Sequence, residues 1–177
     1  MVTDLGPEWH IGPDGRYFRR AARVLLFDDA NRLLLVRGHD VDQPERTWWF
    51  TVGGGIDAGE SARDAAVREL VEETGLSLRP DALIGPVLTR SAIFDFFARD
   101  VRQDEEFFMA RIDAPGELSA AGWTQVEQDF MDEMRWWDLD ALESVTVEIF
   151  PAQLVEITRE LLEGWDGTVR HLGEVSE

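Results

Sequence analysis

Between Gly53 and Leu76 the chain reads Gly-Gly-Gly-Ile-Asp-Ala-Gly-Glu-Ser-Ala-Arg-Asp-Ala-Ala-Val-Arg-Glu-Leu-Val-Glu-Glu-Thr-Gly-Leu, and no other segment limits the fold as tightly. Three consecutive glycines are expected to stop the β-forming run Thr47 to Val52. Ser61 suits a helix N-cap, with Asp64 three residues later, and Gly75 suits the C′ position after the last periodic residue. A helix is therefore predicted between Ser61 and Gly75. On a wheel at about 100° per residue with Glu69 at zero, Glu72 and Glu73 fall at roughly 300° and 40°. Val67, Leu70, Val71 and Thr74 occupy roughly 100° to 200° and are expected to pack on a sheet. Ala65 and Ala66 flank the carboxylate face and are expected to leave room above it.

Three carboxylates at i, i+3 and i+4 repel one another by about 0.2–0.5 kcal/mol per pair on a solvated helix. Taken alone, Glu-Leu-Val-Glu-Glu reads as an exposed acidic face, since Glu is a common surface residue. Were the same face to line a cleft, a hard divalent cation would relieve the repulsion. Mg²⁺ favours carboxylate oxygens and keeps waters for substrate phosphates.

The wider spacing selects the second reading. Gly54, Glu60, Arg68, Glu69, Leu70, Glu72, Glu73, Gly75 and Leu76 resemble the Nudix box, with every fixed position matched. With each polar or Gly position filled by chance at about 5–7%, an accidental match is of order one in 10⁸. The resemblance implies an α/β/α sandwich with a mixed β-sheet and a catalytic loop–helix–loop. It also implies hydrolysis of a nucleoside diphosphate linked to another moiety, with Mg²⁺ or Mn²⁺ as cofactor. Carried over by position, Glu69, Glu72 and Glu73 look like metal ligands, and the Gly53 carbonyl occupies a position that binds metal in some members. Arg68 looks like an orienting partner for carboxylates, including Glu60; Gly54 and Gly75 are structural positions of the box. The general base is either Glu69 or a carboxylate from a distant loop, where Glu127 is the preferred candidate and Glu105 and Glu106 are others. Many members carry Pro where this chain has Val52, a change expected to loosen the turn.

Elsewhere the runs Ala21–Phe27 and Arg32–Arg37 flank an Asp/Asn turn and read as a β-hairpin. Further strands are predicted over Leu83–Phe96, Glu105–Ile112 and Met134–Trp137, the first two joined around residues 99–104. Asp138 suits the cap of a short helix through Glu143, and Pro151 the first turn of a helix ending at Gly164. A single domain over 1–177 is expected, with an irregular lead-in over 1–18, carrying a short hairpin around Pro13-Asp14-Gly15, and a C-terminal tail over 165–177.

Composition removes rival chemistries. All 17 basic side chains are Arg, against 36 Asp and Glu, and there is neither Lys nor Cys. Schiff-base, phosphate-loop and thiol mechanisms are thereby excluded, as is isoprenoid isomerisation, which uses a Cys within the resembled family. A net charge of −19 argues against non-specific nucleic-acid binding. A phosphate chemistry here must rest on metal and arginine. Trp48, Trp49, Arg37 and Arg46 are candidate substrate contacts, the outward member of the Trp pair offering a stacking surface; Arg90 and Arg102 are further phosphate candidates. His10, His39 and His171 show no ligand spacing. No run of about 18 apolar residues exists to span a membrane, and no secretory signal opens the chain, so a cytoplasmic location is expected. The alternative to an enzyme is a non-hydrolytic sensor on the same fold; such domains usually lose box glutamates, which all remain here. The substrate stays open because selectivity lies outside the box, and a homodimer is possible because members of the family are often dimers.

Overall fold

The computed structural model describes residues 5–177, so Met1 to Asp4 of the expected lead-in lie outside the described residues. The remainder of that lead-in is partly ordered. Strand β1 (His10–Ile11) pairs antiparallel with the start of β2 (Tyr17–Phe27), around the turn predicted at Pro13-Asp14-Gly15. β2 leads to β3 (Leu33–His39) through a turn tied by the buried Asp28 side chain, which accepts from the backbone of Ala30 and Arg32. The expected hairpin is reduced to one register pair, Phe27 with Leu33. The reason is β4 (Thr47–Gly55), which inserts between them, pairing Leu35 with Thr51 on one side and Ala22 with Gly54 on the other.

The glycines do not stop β4; they complete it. Gly53, Gly54 and Gly55 stay paired to Arg23, Ala22 and Ala21. A Cβ at Gly53 would lie 2.1 Å from the Ala22 carbonyl oxygen, so absence of a side chain permits the close approach. Val52 pairs with Val24 and is fully buried, so the loosened turn expected from the missing Pro is not found.

Helix α1 (Ala62–Thr74) has the predicted ends. Ser61 accepts from the Asp64 N–H, and Gly75 adopts φ 74° while donating to the Val71 carbonyl. Its buried face differs from the expected one. Ala65, Ala66, Glu69, Leu70, Glu73 and Thr74 are buried, whereas Val71 is exposed. The carboxylates therefore share the packed side of the helix instead of opposing it. Ala65 and Ala66 leave no open room; being small, they let α1 sit close on the sheet.

A 3₁₀ turn at Pro80–Ala82 precedes the hairpin of β5 (Ile84–Asp95) and β6 (Asp100–Arg111), joined at residues 96–99 rather than 99–104. Then follow α2 (Gln125–Phe130), β7 (Met131–Trp137), α3 (Leu139–Glu143) and β8 (Glu148–Phe150). Asp138 caps α3 as predicted, accepting from the N–H groups of Asp140 and Ala141. Helix α4 (Leu154–Glu163) begins later than Pro151, with Gln153 as its cap residue. The expected tail instead ends in β9 (Arg170–Ser176), an edge strand lying parallel to β5.

The strands form one mixed sheet in the order β7-β3-β4-β2-β6-β5-β9. Both faces are covered, which explains the apolar runs Leu33–Val36 in β3 and Ala21–Phe27 in β2, the latter broken only by Arg23. Val24 and Leu26 face α1 with Leu70, while Leu25 and Phe27 face α3 and α4 with Leu142, Leu154 and Ile157. Burying each such leucine contributes about 1.5–3 kcal/mol. No helix among the described residues is long and apolar enough to cross a membrane.

Candidate active site

A cleft of about 360 Å³ opens beside the glycine end of β4, bounded by α1, α2, the β5–β6 turn and the segment before β1. Its acidic end is built from two helices. Glu69 and Glu73, one turn apart on α1, point into it, and Glu127 of α2 meets them. One carboxylate oxygen from each lies within 4.8 Å of the others. Glu69 and Glu73 are only 7% and 2% exposed. Burial, with Arg68 pulling the other way, raises the Glu69 pKa; burial and the nearby Glu69 charge raise Glu73 well above the usual carboxylate range. Glu73 receives one strong compensation, a 2.8 Å hydrogen bond from the Gly53 N–H.

Glu127 lies in a helix rather than the predicted loop. Its side chain closes a capping box with Thr124, accepting from the Thr124 N–H at 2.6 Å. Trp123 fastens α2 toward α1 by donating its indole N–H to the Glu73 carbonyl at 2.7 Å. These contacts explain how a carboxylate more than fifty positions away in sequence reaches the box helix.

Arg68 lies among the carboxylates of the box. Its guanidinium donates to Glu60 through two nitrogens at 2.9 Å each, to Glu69 at 2.6 Å, to Glu72 at 3.0 Å and to the Gly55 carbonyl at 2.8 Å. The Arg68 bonds hold the Glu60 carboxyl below its ordinary range. Glu72, with its side chain 46% exposed, lies at the rim outside the three-oxygen group. The Gly53 carbonyl is engaged by Arg23 at 2.6 Å.

Among the expected substrate contacts, Trp48 and Arg46 line the cleft, with the Arg46 guanidinium 5.6 Å from the Trp48 ring centre and ion-paired to Glu148 at 2.9 Å. Trp49 and Arg37 do not. Trp49 is buried on the opposite face against Trp137, its strand parity sending it away from Trp48. Arg37 pairs instead with Asp132 and Glu133 of β7. Arg102 pairs with Asp104 and Glu174 outside the cleft, and Glu106 with Arg20. Arg90 lines the cleft but is tied to Glu105 and Glu177. Glu105 is buried between Arg23 and Arg90. Burial pushes its pKa up, but the two guanidiniums outweigh that and hold the carboxyl at about 2.

Arg23, Arg19, Trp9 and Glu177 also line the cleft, though sequence reasoning had not marked them. One signal was available: a single Arg inside the apolar run Ala-Ala-Arg-Val-Leu-Leu implies a buried partner. The cleft's other wall is aromatic, with Phe50 stacked on Phe130 at 6.1 Å and Phe96 edge-on to Phe130 at 5.4 Å.

Over residues 17–161 the sequence matches the family model of the NUDIX domain. The chain belongs to the Nudix family. Its curated relatives include a putative 8-oxo-dGTP diphosphatase of Bacillus subtilis (strain 168), 40% identical over 68 residues, which are 38% of this chain and 42% of that protein. An RNA pyrophosphohydrolase of Dinoroseobacter shibae is 43% identical over 61 residues, 34% of this chain and 36% of that protein. The chain thus spans less than half the length of these relatives. Solved structures share the Nudix fold across nearly the whole domain. The Escherichia coli dihydroneopterin triphosphate pyrophosphohydrolase superposes with a TM-score of 0.58 at 18% identity, covering 82% of this chain and 97% of that one. A MutT protein from Bacillus halodurans gives 0.56 at 22% identity, covering 89% of each chain.

The donor set of this Nudix site fits a hard divalent cation. It offers carboxylate oxygens only, two of them buried and mutually repelling, in a cleft with water access.

Proposed function

We propose that this chain hydrolyses the pyrophosphate linkage of a nucleoside diphosphate derivative, releasing a nucleoside monophosphate and the phosphorylated second moiety. Mg²⁺ is the proposed cofactor, with Mn²⁺ as a substitute. The observation that carries the reading is the meeting of Glu69, Glu73 and Glu127 at one end of a partly aromatic cleft. Relatives named as an 8-oxo-dGTP diphosphatase and an RNA pyrophosphohydrolase support the same bond type.

Glu69, Glu73 and Glu127 would hold the cation, with Glu72 beside them at the rim. When bound, it offsets the diphosphate charge and eases deprotonation of an attacking water. Glu127, less buried than Glu69 and Glu73 and anchored by Thr124, is the group best placed to accept that water's proton; Glu69 is the other candidate. Arg68 keeps Glu69 aligned and, by bridging it to Glu72, offsets the repulsion between the two carboxylates. Trp48 and the Phe50–Phe130–Phe96 wall offer a surface for a nucleobase, a contact contributing about 1–3 kcal/mol per base.

A panel of dinucleoside polyphosphates, nucleotide sugars, ADP-ribose, nucleoside triphosphates and capped RNA, assayed with Mg²⁺ and resolved by product chromatography, tests the reading. Cleavage of at least one compound to a nucleoside monophosphate is expected, falling by about 10²–10⁴ in Glu69→Gln with the fold intact. Tight binding of one compound without cleavage of any would establish the sensor instead.

A further inference from the structure

Arg23 and Gly53 are register partners on β2 and β4, and their contact bears on which atoms can reach a cation. The Arg23 guanidinium donates to the Gly53 carbonyl at 2.6 Å and to the Thr51 carbonyl at 3.2 Å. Its Nε donates to Glu105 at 2.9 Å. Glu105 is in turn fixed by Gln103 at 2.6 Å and by Arg90. On the other side of Gly53, its N–H donates to Glu73 at 2.8 Å. An unbroken line of buried polar contacts thus runs from Glu105 through Arg23 and Gly53 to Glu73.

A positive guanidinium at hydrogen-bond distance makes the Gly53 carbonyl a poor cation ligand, because a second positive charge there meets strong repulsion at low dielectric. The same contact fixes the orientation of the Gly53 backbone. At φ 132°, with a Cβ excluded by the Ala22 carbonyl, Gly53 is held so that its N–H faces Glu73. We infer that Arg23 is a positioning residue for the cation site: it occupies the Gly53 carbonyl, so Gly53 serves the site through its N–H on Glu73, and carboxylates alone hold the cation. This rests on the metal-dependent reading above and departs from the family-based expectation that the Gly53 carbonyl is itself a ligand.

Mn²⁺ binding, followed by loss of the free-ion electron paramagnetic resonance signal, tests this independently of turnover. Arg23→Met should bind Mn²⁺ about 10–100-fold more weakly than wild type, the usual effect of losing a partner that orients a ligand. Arg23→Lys should fall between them, since one ammonium can reach Glu105 or Gly53 but not span both. Tighter binding by Arg23→Met would mean that the carbonyl is a ligand and Arg23 its competitor. Unchanged binding in both variants would reduce Arg23 to a packing role. Either result overturns the inference while leaving the metal-dependent reading standing. Failure of wild type to bind Mn²⁺ overturns both. If circular dichroism shows Arg23→Met unfolded, Arg23→Lys decides by the same signs.

Discussion

Glu105 and Glu73 are buried carboxylates in one cleft, yet their surroundings drive them in opposite directions. Glu105 has two guanidiniums and its carboxyl is held at about 2; Glu73 has one backbone N–H and a second carboxylate beside it. Glu105→Gln should cost about 3–5 kcal/mol in urea denaturation at neutral pH, because buried Arg23 loses its carboxylate partner and Arg90 keeps only Glu177. Since folding lowers this pKa from 4.5 to about 2, the stabilisation is complete above the higher value and lost as pH falls toward the lower. The wild-type and Glu105→Gln curves should therefore converge only near pH 2. Glu73 has the reverse sign. Folding raises its pKa, so the metal-free folded protein holds its proton more tightly, and stability falls as pH rises through the raised value. Thermal melts in EDTA should fall as pH rises above the ordinary carboxylate range, with Mg²⁺ restoring the loss most at the alkaline end. Glu73→Gln should show a flatter pH dependence in EDTA; an equally steep one would assign the effect to another group.

At the scale of elements, the glycine end of β4 does two separate jobs. Gly53 admits no side chain because the obstacle is the backbone of β2, whereas a Cβ on Gly54 would meet the Glu69 carboxylate at 2.5 Å. Gly53→Ala should be destabilised by about 3 kcal/mol or more, combining left-region φ strain with overpacking. Gly54→Ala should lose only about 1 kcal/mol, because Glu69 can swing aside, but its turnover should fall about 100-fold through the misplaced carboxylate. Chemical denaturation and steady-state kinetics on both variants separate the two effects. Matching stability losses would show that Glu69 is less free to move than its position implies. Helix α1 carries a related lesson. Its wheel grouped the carboxylates well, but which arc is buried was set by the sheet beneath, where small Ala65 and Ala66 nestle and Val71 is turned outward.

For the molecule as a whole, ion pairing is extensive but cannot cancel 36 acidic groups with 17 arginines. Self-repulsion remains and is screened by salt over a Debye length of about 10 Å at 0.1 M. Raising NaCl from about 0.01 to 0.3 M should raise the melting temperature, and a flat response would show that the acidic surface is already neutralised by local pairing. The residues after α4 belong to this scale too. They bring β9 onto β5 and place Glu177 on Arg90 at the cleft, which makes the expected tail a part of the wall.

The box helix, its caps, the carboxylate cluster on it and the two-faced sheet were all readable in the order of residues. Each depends on spacing over a turn or a strand, and that spacing survives without knowledge of neighbours. The insertion of β4 between β2 and β3, the parallel additions of β8 to β4 and of β9 to β5, and the union of Glu127 with Glu69 and Glu73 were not. These depend on which distant backbones pair and how closely they approach. Glycines that look like a strand's end become its continuation once Ala22 and Arg23 lie alongside, and the carbonyl of Gly53 meets its guanidinium only because register places those strands together.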